Sequence, residues 1–336
     1  MLIASDKNVP AGVELVTPFG ERKITCAFHD IDGTHSLIRK WVPVMTLCTG
    51  FASFNSWPSG LSPEELANLM MRHDPEEYQD AHMFAVESAG LSALTQMEWA
   101  IRNAVRNGVR NIPGTTPEVN ASIVRKIWAG EERFPAEPET EEFRNRIGEL
   151  SSELFRAYEI VLRRQCRDRN LALAAKNPEN WRVPGSLEFL RFLKDSGVRN
   201  YFVTGAVVEY TPDGKARGSM AEEVEVLGYR TGAGEVVDKL VGSTWNRKLP
   251  KVELMLEICR EEHIAPENLL IVGDGRSEIA AGVKTGALCL SRLPPESVRA
   301  REIHRELGTN LLTAEYRLDD LRKIFLKKSH CKEVEQ

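Results

Sequence analysis

The sequence lacks the cysteine patterns of a secreted or zinc-binding protein. Its six cysteines are scattered over 336 residues, and no two of them form a C-x-x-C pair. No group of Cys and His residues has the spacing of a zinc site. The first residues, MLIASDKNVPAGVELVT, also lack the charged and then apolar segments of a signal peptide. We therefore expect reduced thiols and a cytoplasmic protein.

Long apolar runs and an excess of positive charge are missing as well. No apolar stretch approaches the roughly 20 residues that span a bilayer. The formal net charge of −5 and the pI near 5.9 provide no basic field that could hold a polyanion. Aromatic residues make up only 7% of the chain, too few to predict a stacking platform for single strands. Neither nucleic acid nor a membrane is expected as a partner.

Three common enzyme motifs are absent. The stretch GVKTG lacks the glycine, lysine and Ser/Thr spacing of a phosphate loop, and no G-x-G-x-x-G follows the first predicted strand. No serine lies in a G-x-S-x-G turn. These absences argue against a P-loop enzyme, a dinucleotide-binding enzyme and a serine hydrolase of the α/β type.

What the chain does contain is, first, a long helical segment. From about residue 37 to 180 almost every stretch has apolar residues at helical spacing, and no strand is predicted. One helix is predicted to begin with Ser62 as N-cap, Pro63 in the first turn and Glu65 closing a capping box. Two further helices are predicted over 94–110 and 141–169.

After residue 182, helices and short apolar strands alternate. The predicted pairs of helix and strand cover 186–197 with 200–205, 250–262 with 268–275, and 277–286 with 287–291. Short apolar strands between amphipathic helices indicate a parallel sheet that is covered on both faces.

An earlier apolar strand, predicted within 23–34, has no helix-strand partner nearby and is expected to join this sheet. The predicted fold class is therefore α/β, a Rossmann-like parallel sheet core with an inserted all-helical domain. The core is expected to comprise residues 1–37 and 182–336, and the helical cap domain residues 38–181.

Polar residues stand where three of the predicted strands end. The first strand runs into Asp30 and Asp32, the second ends at Thr204, and the third at Asp274. Two neighbouring carboxylates are costly to keep ionised unless a cation or a shared proton compensates them. Because parallel strands present functional groups at their carboxyl ends, these residues indicate a single site.

These positions resemble the motifs of the haloacid dehalogenase superfamily, specifically its phosphatase-like members. The first motif of that family stands here as Asp30-Ile31-Asp32-Gly33-Thr34, the second resembles FVTGA with Thr204, and the fourth resembles IVGDGRSEI with Asp274 and Glu278. The third motif is a lysine, for which Lys251 and Lys248 both qualify; the spacing to Asp274 favours Lys251. The resemblance covers the predicted core and implies a helical cap inserted after the first motif.

The resemblance implies a role for each motif residue. Asp30 would be the nucleophile that forms an aspartyl-phosphate, and Asp32 the general acid and base. Mg²⁺ would be bound by Asp30, Asp274 and the backbone carbonyl of Asp32, with Glu278 ordering a metal-bound water. Thr204 and Lys251 would stabilise the transferring group, and phosphate contacts are expected from Gly33, Thr34, Gly205 and His35.

An acidic residue at position 32 implies a leaving group that needs a proton, as in a phosphatase or a phosphosugar mutase. We therefore expect a Mg²⁺-dependent phosphatase that acts on a small phosphorylated metabolite. A phosphosugar mutase of the same superfamily and a non-catalytic phosphometabolite-binding module are the alternatives.

Two further features have open interpretations. His35 follows the first motif, where its imidazole either contacts substrate or caps the next helix, whereas His29 is expected to pack in the core. Arg102, Arg106 and Arg110 recur every four residues on a predicted helix. They form either a solvated stripe or a contact to a second anionic group of the substrate.

Overall fold

The central element of the fold is a seven-stranded sheet. In a computed structural model that describes residues 1–245 and 247–327, the strands lie in the order β2-β11-β10-β9-β4-β5-β8. All neighbouring pairs are parallel except β2, an antiparallel edge strand. A three-stranded antiparallel sheet, β12-β1-β3, and the hairpin β6-β7 complete the strands. The bounds are β1 Leu2–Ser5, β2 Val13–Leu15, β3 Glu21–Ile24, β4 Cys26–His29, β5 Arg199–Val207, β6 Glu209–Tyr210, β7 Ala216–Arg217, β8 Lys239–Ser243, β9 Leu269–Gly273, β10 Leu288–Arg292, β11 Leu311–Thr313 and β12 Phe325–Lys327.

The strand sequences explain why this sheet is buried on both faces. Every residue of β4 and β9 is buried. In β4 Ala27 packs into one apolar cluster and Phe28 into another, so successive side chains supply the cores on opposite faces. The predicted Rossmann-like α/β core is therefore confirmed. The strand predicted over 23–34 is shorter in the structure, because Thr25 separates it into β3 and β4, which lie in different sheets, and β4 ends at His29.

Thirteen α-helices surround and extend the sheet in the described part of the chain. Seven of them follow one another between residues 41 and 174 without an intervening strand. The bounds are α1 Trp41–Phe54, α2 Pro63–Met70, α3 Gln79–Glu87, α4 Ala93–Arg106, α5 Pro117–Trp128, α6 Glu141–Leu162, α7 Asp168–Ala174, α8 Ser186–Asp195, α9 Ser219–Val226, α10 Lys251–Glu261, α11 Arg276–Thr285, α12 Val298–Leu307 and α13 Leu318–Ile324.

The helical segment, residues 41–174, has an apolar core built almost entirely from its own side chains. The capping box of α2 is confirmed: the Ser62 hydroxyl accepts from the Glu65 backbone N–H, and the Glu65 carboxylate from that of Ser62. Helix α4 ends at Arg106, before the predicted residue 110, because Gly108 adopts a left-handed φ of +70°. The division into a core and a cap domain at residues 37 and 182 stays a prediction.

The structure bears on two features expected from composition, namely membrane-spanning helices and the state of the cysteines. None of the helices in the described residues is both long and apolar enough to cross a membrane. The five cysteines among these residues are all free thiols, and the sixth, Cys331, lies outside the described residues.

Candidate active site

The motif residues lie at the carboxyl ends of three adjacent strands. β4 pairs with β5 on one side and with β9 on the other. Asp30 and Asp32 follow β4, Thr204 lies near the end of β5, and Asp274 follows β9. All four side chains line one small cavity between the sheet and the helical segment. The structure therefore brings together residues that are up to 244 positions apart.

Lys251 is the lysine that reaches this cavity. It is the first residue of α10 and is buried, and its Nζ lies 2.6 Å from Asp30 Oδ1 and 3.6 Å from Glu278 Oε2. Burial acts against the charge of the ammonium group, but the carboxylates of Asp30 and Glu278 outweigh it and raise the pKa of Lys251. Lys248 instead donates to Glu98 Oε2, at 2.7 Å.

Three carboxylates form an acidic cluster around Lys251. Oxygen atoms of Asp30, Asp274 and Glu278 all lie within 4.8 Å of one another. Burial raises the pKa of Asp274 well above its ordinary value, and repulsion from Asp30 and Glu278 adds to this. The pKa of Asp30 is raised by burial despite the attraction of Lys251. One ammonium group lies beside three carboxyl groups, and carboxylate oxygens are the ligand type that a hard divalent cation prefers.

Asp32 stands in a different environment from Asp30. Its Oδ1 is shielded from solvent and has no hydrogen-bond partner among the described residues. Burial raises the pKa of Asp32 to about 7, because the attraction of Arg39 only partly offsets burial and the repulsion of Glu223 and Asp30. A carboxyl group with this pKa can carry a proton at neutral pH, as a general acid requires.

Gly33 and Thr34 shape the loop that follows β4. Gly33 has a φ of +77°, and a Cβ there would overlap the Asp274 carboxylate, so a glycine is required on both grounds. The Thr34 hydroxyl donates to Asp274 Oδ1 at 3.0 Å. The backbone N–H groups of both residues donate to carbonyls within the loop, and neither residue lines the cavity. The phosphate contacts expected from Gly33 and Thr34 stay a prediction. Gly205 does line the cavity.

The predicted substrate contact of His35 is wrong. Its side chain is fully buried and stacks on the ring of Tyr316, with centroids 5.3 Å apart. Its Nε2 lies 3.1 Å from Nδ1 of His29, which is also fully buried, as expected. Burial lowers the pKa of both imidazoles. His35 therefore supports the loop from the core side of the sheet.

Arg102 is neither part of a solvated stripe nor a contact to an anionic group of the substrate. Its side chain is 3% exposed and binds Glu98 at 2.9 Å and the Glu139 carboxylate with two nitrogens. Arg110 lies beyond the end of α4, with its guanidinium 3.6 Å from the ring centroid of Trp57. Neither of these arginines lines the cavity of Asp30 and Asp32.

The motif comparison missed the residues that the helical segment contributes. The loop of residues 88–92, between α3 and α4, lies over the strand ends: a Cβ at Gly90 would overlap Ser277 and Glu278, and a Cβ at Gly205 would approach the Leu91 carbonyl to 2.6 Å. The same cavity is lined by a further set of side chains, namely Arg39, Trp41, Met45, Gln96, Phe155, Tyr158 and Glu159. No short motif marks these positions.

Comparison with known proteins finds similarity in structure only. No family model and no curated protein sequence matches the chain. Solved structures that resemble it include a protein described as a phosphoglycolate phosphatase from Lactobacillus delbrueckii subsp. bulgaricus, 15% identical over 90% of this chain and 99% of that one, with a TM-score of 0.47. A phosphonoacetaldehyde hydrolase-like protein from Oleispira antarctica is 12% identical over 94% and 96% of the chains, with a TM-score of 0.45. A β-phosphoglucomutase from Clostridium difficile is 12% identical over 87% and 91%, with a TM-score of 0.42.

A further similar structure is described as a haloacid dehalogenase-like hydrolase from Bacteroides fragilis, 12% identical over 83% of this chain and 93% of that one, with a TM-score of 0.40. The identities of all these structures lie below 25% and their TM-scores below 0.5, so no functional conclusion is based on them.

Proposed function

We propose that this chain is a phosphatase of the haloacid dehalogenase superfamily that hydrolyses a small phosphorylated metabolite through an aspartyl-phosphate. The observation that supports this most is the juxtaposition of Asp30 with Lys251 and Asp274 at adjacent strand ends. A buried carboxylate beside an ammonium group is suited to nucleophilic attack on phosphorus, because the cation offsets the repulsion between two anions.

The side chains divide the reaction between them. Asp30 attacks the phosphorus atom, and Lys251 and the Thr204 hydroxyl stabilise the charge on the transferring group. Asp32 donates its proton to the leaving oxygen and then accepts one from the water that attacks the aspartyl-phosphate. The pKa of Asp32, near 7, suits a group that changes protonation state twice in each turnover.

Mg²⁺ is the proposed cofactor. The cluster of Asp30, Asp274 and Glu278 places three carboxyl groups beside the single ammonium group of Lys251. Asp30, Asp274 and the backbone carbonyl of Asp32 would hold the ion, with Glu278 beside it. When bound, it would supply positive charge that shields the nucleophile from the phosphate.

We also propose that residues 38–181 act as a cap domain. The loop of residues 88–92 lies against Gly205 and Ser277, so this segment controls access to the strand ends. Closure of such a segment excludes water and commits the substrate to reaction.

Two variants of the first motif test the mechanism with p-nitrophenyl phosphate. Asp30→Asn removes the attacking oxygen, so turnover should vanish without a burst. Asp32→Asn removes proton transfer, a contribution of roughly 10²–10⁴-fold. Because p-nitrophenolate leaves without a proton, this variant should give a burst of p-nitrophenol followed by a slow steady state.

The measurement is stopped-flow absorbance with Mg²⁺ and, as a control, with excess chelator. Equal, burst-free inactivity of both variants with intact Mg²⁺ binding would contradict the assigned roles. Free phosphate as the product distinguishes a phosphatase from a mutase, which returns the phosphate to another carbon of the substrate.

A further inference from the structure

The cavity side chains near Asp32 are where the leaving group of a substrate would lie. If Asp32 protonates the leaving oxygen, the cavity side chains near Asp32 are the ones that contact the rest of the leaving group. Arg39 and Tyr158 line the same cavity as Asp32, and the guanidinium of Arg39 acts against the burial that raises the pKa of Asp32. Glu159 follows Tyr158 on α6 and lines the same cavity.

The cations of this cavity are already paired with carboxylates of the protein. Among the described residues that line the cavity, only Arg39 and Lys251 are cationic, and Lys251 is bonded to Asp30. The Nε of Arg39 lies 3.0 Å from both carboxylate oxygens of Glu223, and its Nη1 lies 3.2 Å from Glu159. Nη2 of Arg39 donates to the Ser219 hydroxyl, and the buried Arg167 also pairs with Glu223. Each guanidinium nitrogen of Arg39 therefore already has a partner, so a carboxylate on the leaving group would have to compete with Glu159 and Glu223 for it.

The same wall combines a carboxylate with aromatic faces. The rings of Phe155 and Tyr158 lie 5.6 Å apart, inclined by 21°, and Trp41 lines the cavity with them. The Glu159 side chain is 16% exposed. Aromatic faces beside a carboxylate attract cations, including quaternary ammonium groups, because the ring face carries partial negative charge.

We infer that the substrate is the phosphate monoester of an amino alcohol, whose ammonium group lies against Glu159 and the rings of Trp41, Phe155 and Tyr158. This inference rests on the proposed phosphatase activity and adds the chemical class of the leaving group. The phosphate end would face Asp30 and Lys251, and the cationic end would face the wall contributed by the helical segment.

A pair of substrates of equal shape tests the charge preference directly. Phosphocholine and 3,3-dimethylbutyl phosphate differ only in a nitrogen that is replaced by carbon, so the second is the neutral copy of the first. We expect kcat/KM for phosphocholine to exceed that for the neutral ester at least about tenfold, the scale of a desolvated cation–π contact. Phosphoglycolate, with its carboxylate, should be poorer than either. Phosphate release is measured in all three cases.

A matched pair of variants tests whether Glu159 causes the preference for the cationic substrate. Glu159→Gln should lower the ratio of phosphocholine to neutral-ester kcat/KM at least about threefold, because it removes the charge and keeps the shape. Glu153 lies on α6 as well, with a side chain that is 48% exposed and paired to Arg146. Glu153→Gln should leave the ratio as in the wild type.

The outcomes separate this inference from the proposed function. Turnover of p-nitrophenyl phosphate with a ratio below tenfold, or with phosphoglycolate preferred, overturns the leaving-group inference alone. An unchanged ratio in Glu159→Gln overturns the assignment to this wall. Absence of phosphate release from every ester, including p-nitrophenyl phosphate, overturns the phosphatase proposal and this inference together.

Discussion

At the scale of single residues, Lys251 carries the only ammonium group among the described residues that line the cavity. Its Nζ lies 2.6 Å from Asp30 Oδ1. Lys251→Ala should lower kcat for p-nitrophenyl phosphate on the order of a hundredfold or more, because it removes a charge that stabilises the transition state.

Lys248→Ala is the matched control for that variant. Lys248 bonds to Glu98 and does not line the cavity, so its removal should change kcat far less. Steady-state kinetics of both purified variants measure the difference. If Lys248→Ala were the more damaging change, the lysine of the third motif would be misassigned by three residues.

Arg102 is a single residue that we expect to contribute to the stability of the fold and not to the reaction. It is bonded to Glu98 and Glu139, and both its own side chain and that of Glu139 are almost fully buried. Arg102→Ala should lower the free energy of unfolding by about 3–5 kcal/mol, because it leaves the buried carboxylate of Glu139 without its ionic partner. Urea denaturation measures this, with Arg106→Ala as control because Arg106 is exposed on the same helix. Equal stability of the two variants would contradict the buried ion-pair assignment.

At the scale of elements, the loop between α3 and α4 joins the helical segment to the strand ends. Gly90 has a φ of +93° and contacts Ser277 and Glu278 so closely that a Cβ would overlap them. Gly90→Ala should therefore push the loop away from the site and lower kcat/KM at least about tenfold, because small displacements near a reacting centre are costly.

Gly108→Ala is the control for the backbone strain that an alanine causes at a positive φ. Its φ is +70°, and no atom lies within 4 Å of a Cβ built there. Both alanine variants should lose about 1–2 kcal/mol of stability from the left-handed backbone, whereas only Gly90→Ala should lose activity. Parallel measurement of thermal unfolding and kcat/KM separates the two effects, and an equal loss of activity in Gly108→Ala would contradict a specific role for the loop.

Elements also show which parts of this site could be predicted from the sequence. Asp30, Asp32, Thr204 and Asp274 were predicted to lie together because each directly ends a strand or lies near its end, a local pattern that the topology of a parallel sheet converts into one cluster. The loop at Gly90 carries no such pattern, since its closeness to Glu278 depends on how the helical segment packs. Strand β8 was not predicted at all, because its five residues, Lys239–Ser243, include a glycine and follow no amphipathic helix of the expected length.

The helical spacing of the three arginines also does not predict their contacts. The spacing of Arg102, Arg106 and Arg110 describes one face of a helix but not what that face contacts. Glu139, which neutralises Arg102, lies 37 positions further along the chain. The burial of His35 does not follow from local sequence either, because its neighbours Tyr229 and Tyr316 come from distant parts of the chain. The contacts of Arg102 and His35 thus depend on packing between distant parts of the chain, which local sequence patterns do not predict.

At the scale of the whole molecule, buried neutral histidines link stability to pH. His304, on α12, is 1% exposed, and its Nδ1 lies 2.8 Å from the Ser291 hydroxyl. Burial lowers the pKa of His304 to about 4. In the unfolded chain an imidazole titrates near its ordinary value of about 6.5. Between these values the unfolded state binds a proton that the folded state does not, so stability falls as the pH falls from about 6.5 towards 4.

The expected size of this effect follows from proton linkage. One such histidine should lower the free energy of unfolding by about 2 kcal/mol between pH 7.5 and pH 5, at about 1.36 kcal/mol for each pKa unit. Urea denaturation at both pH values, with chelator present, should show a loss that is smaller by that amount in His304→Gln than in the wild type. His82→Gln is the control, because His82 is exposed on α3 and its replacement should keep the wild-type loss. If His304→Gln loses as much stability on acidification as the wild type, His304 is not held neutral in the folded protein.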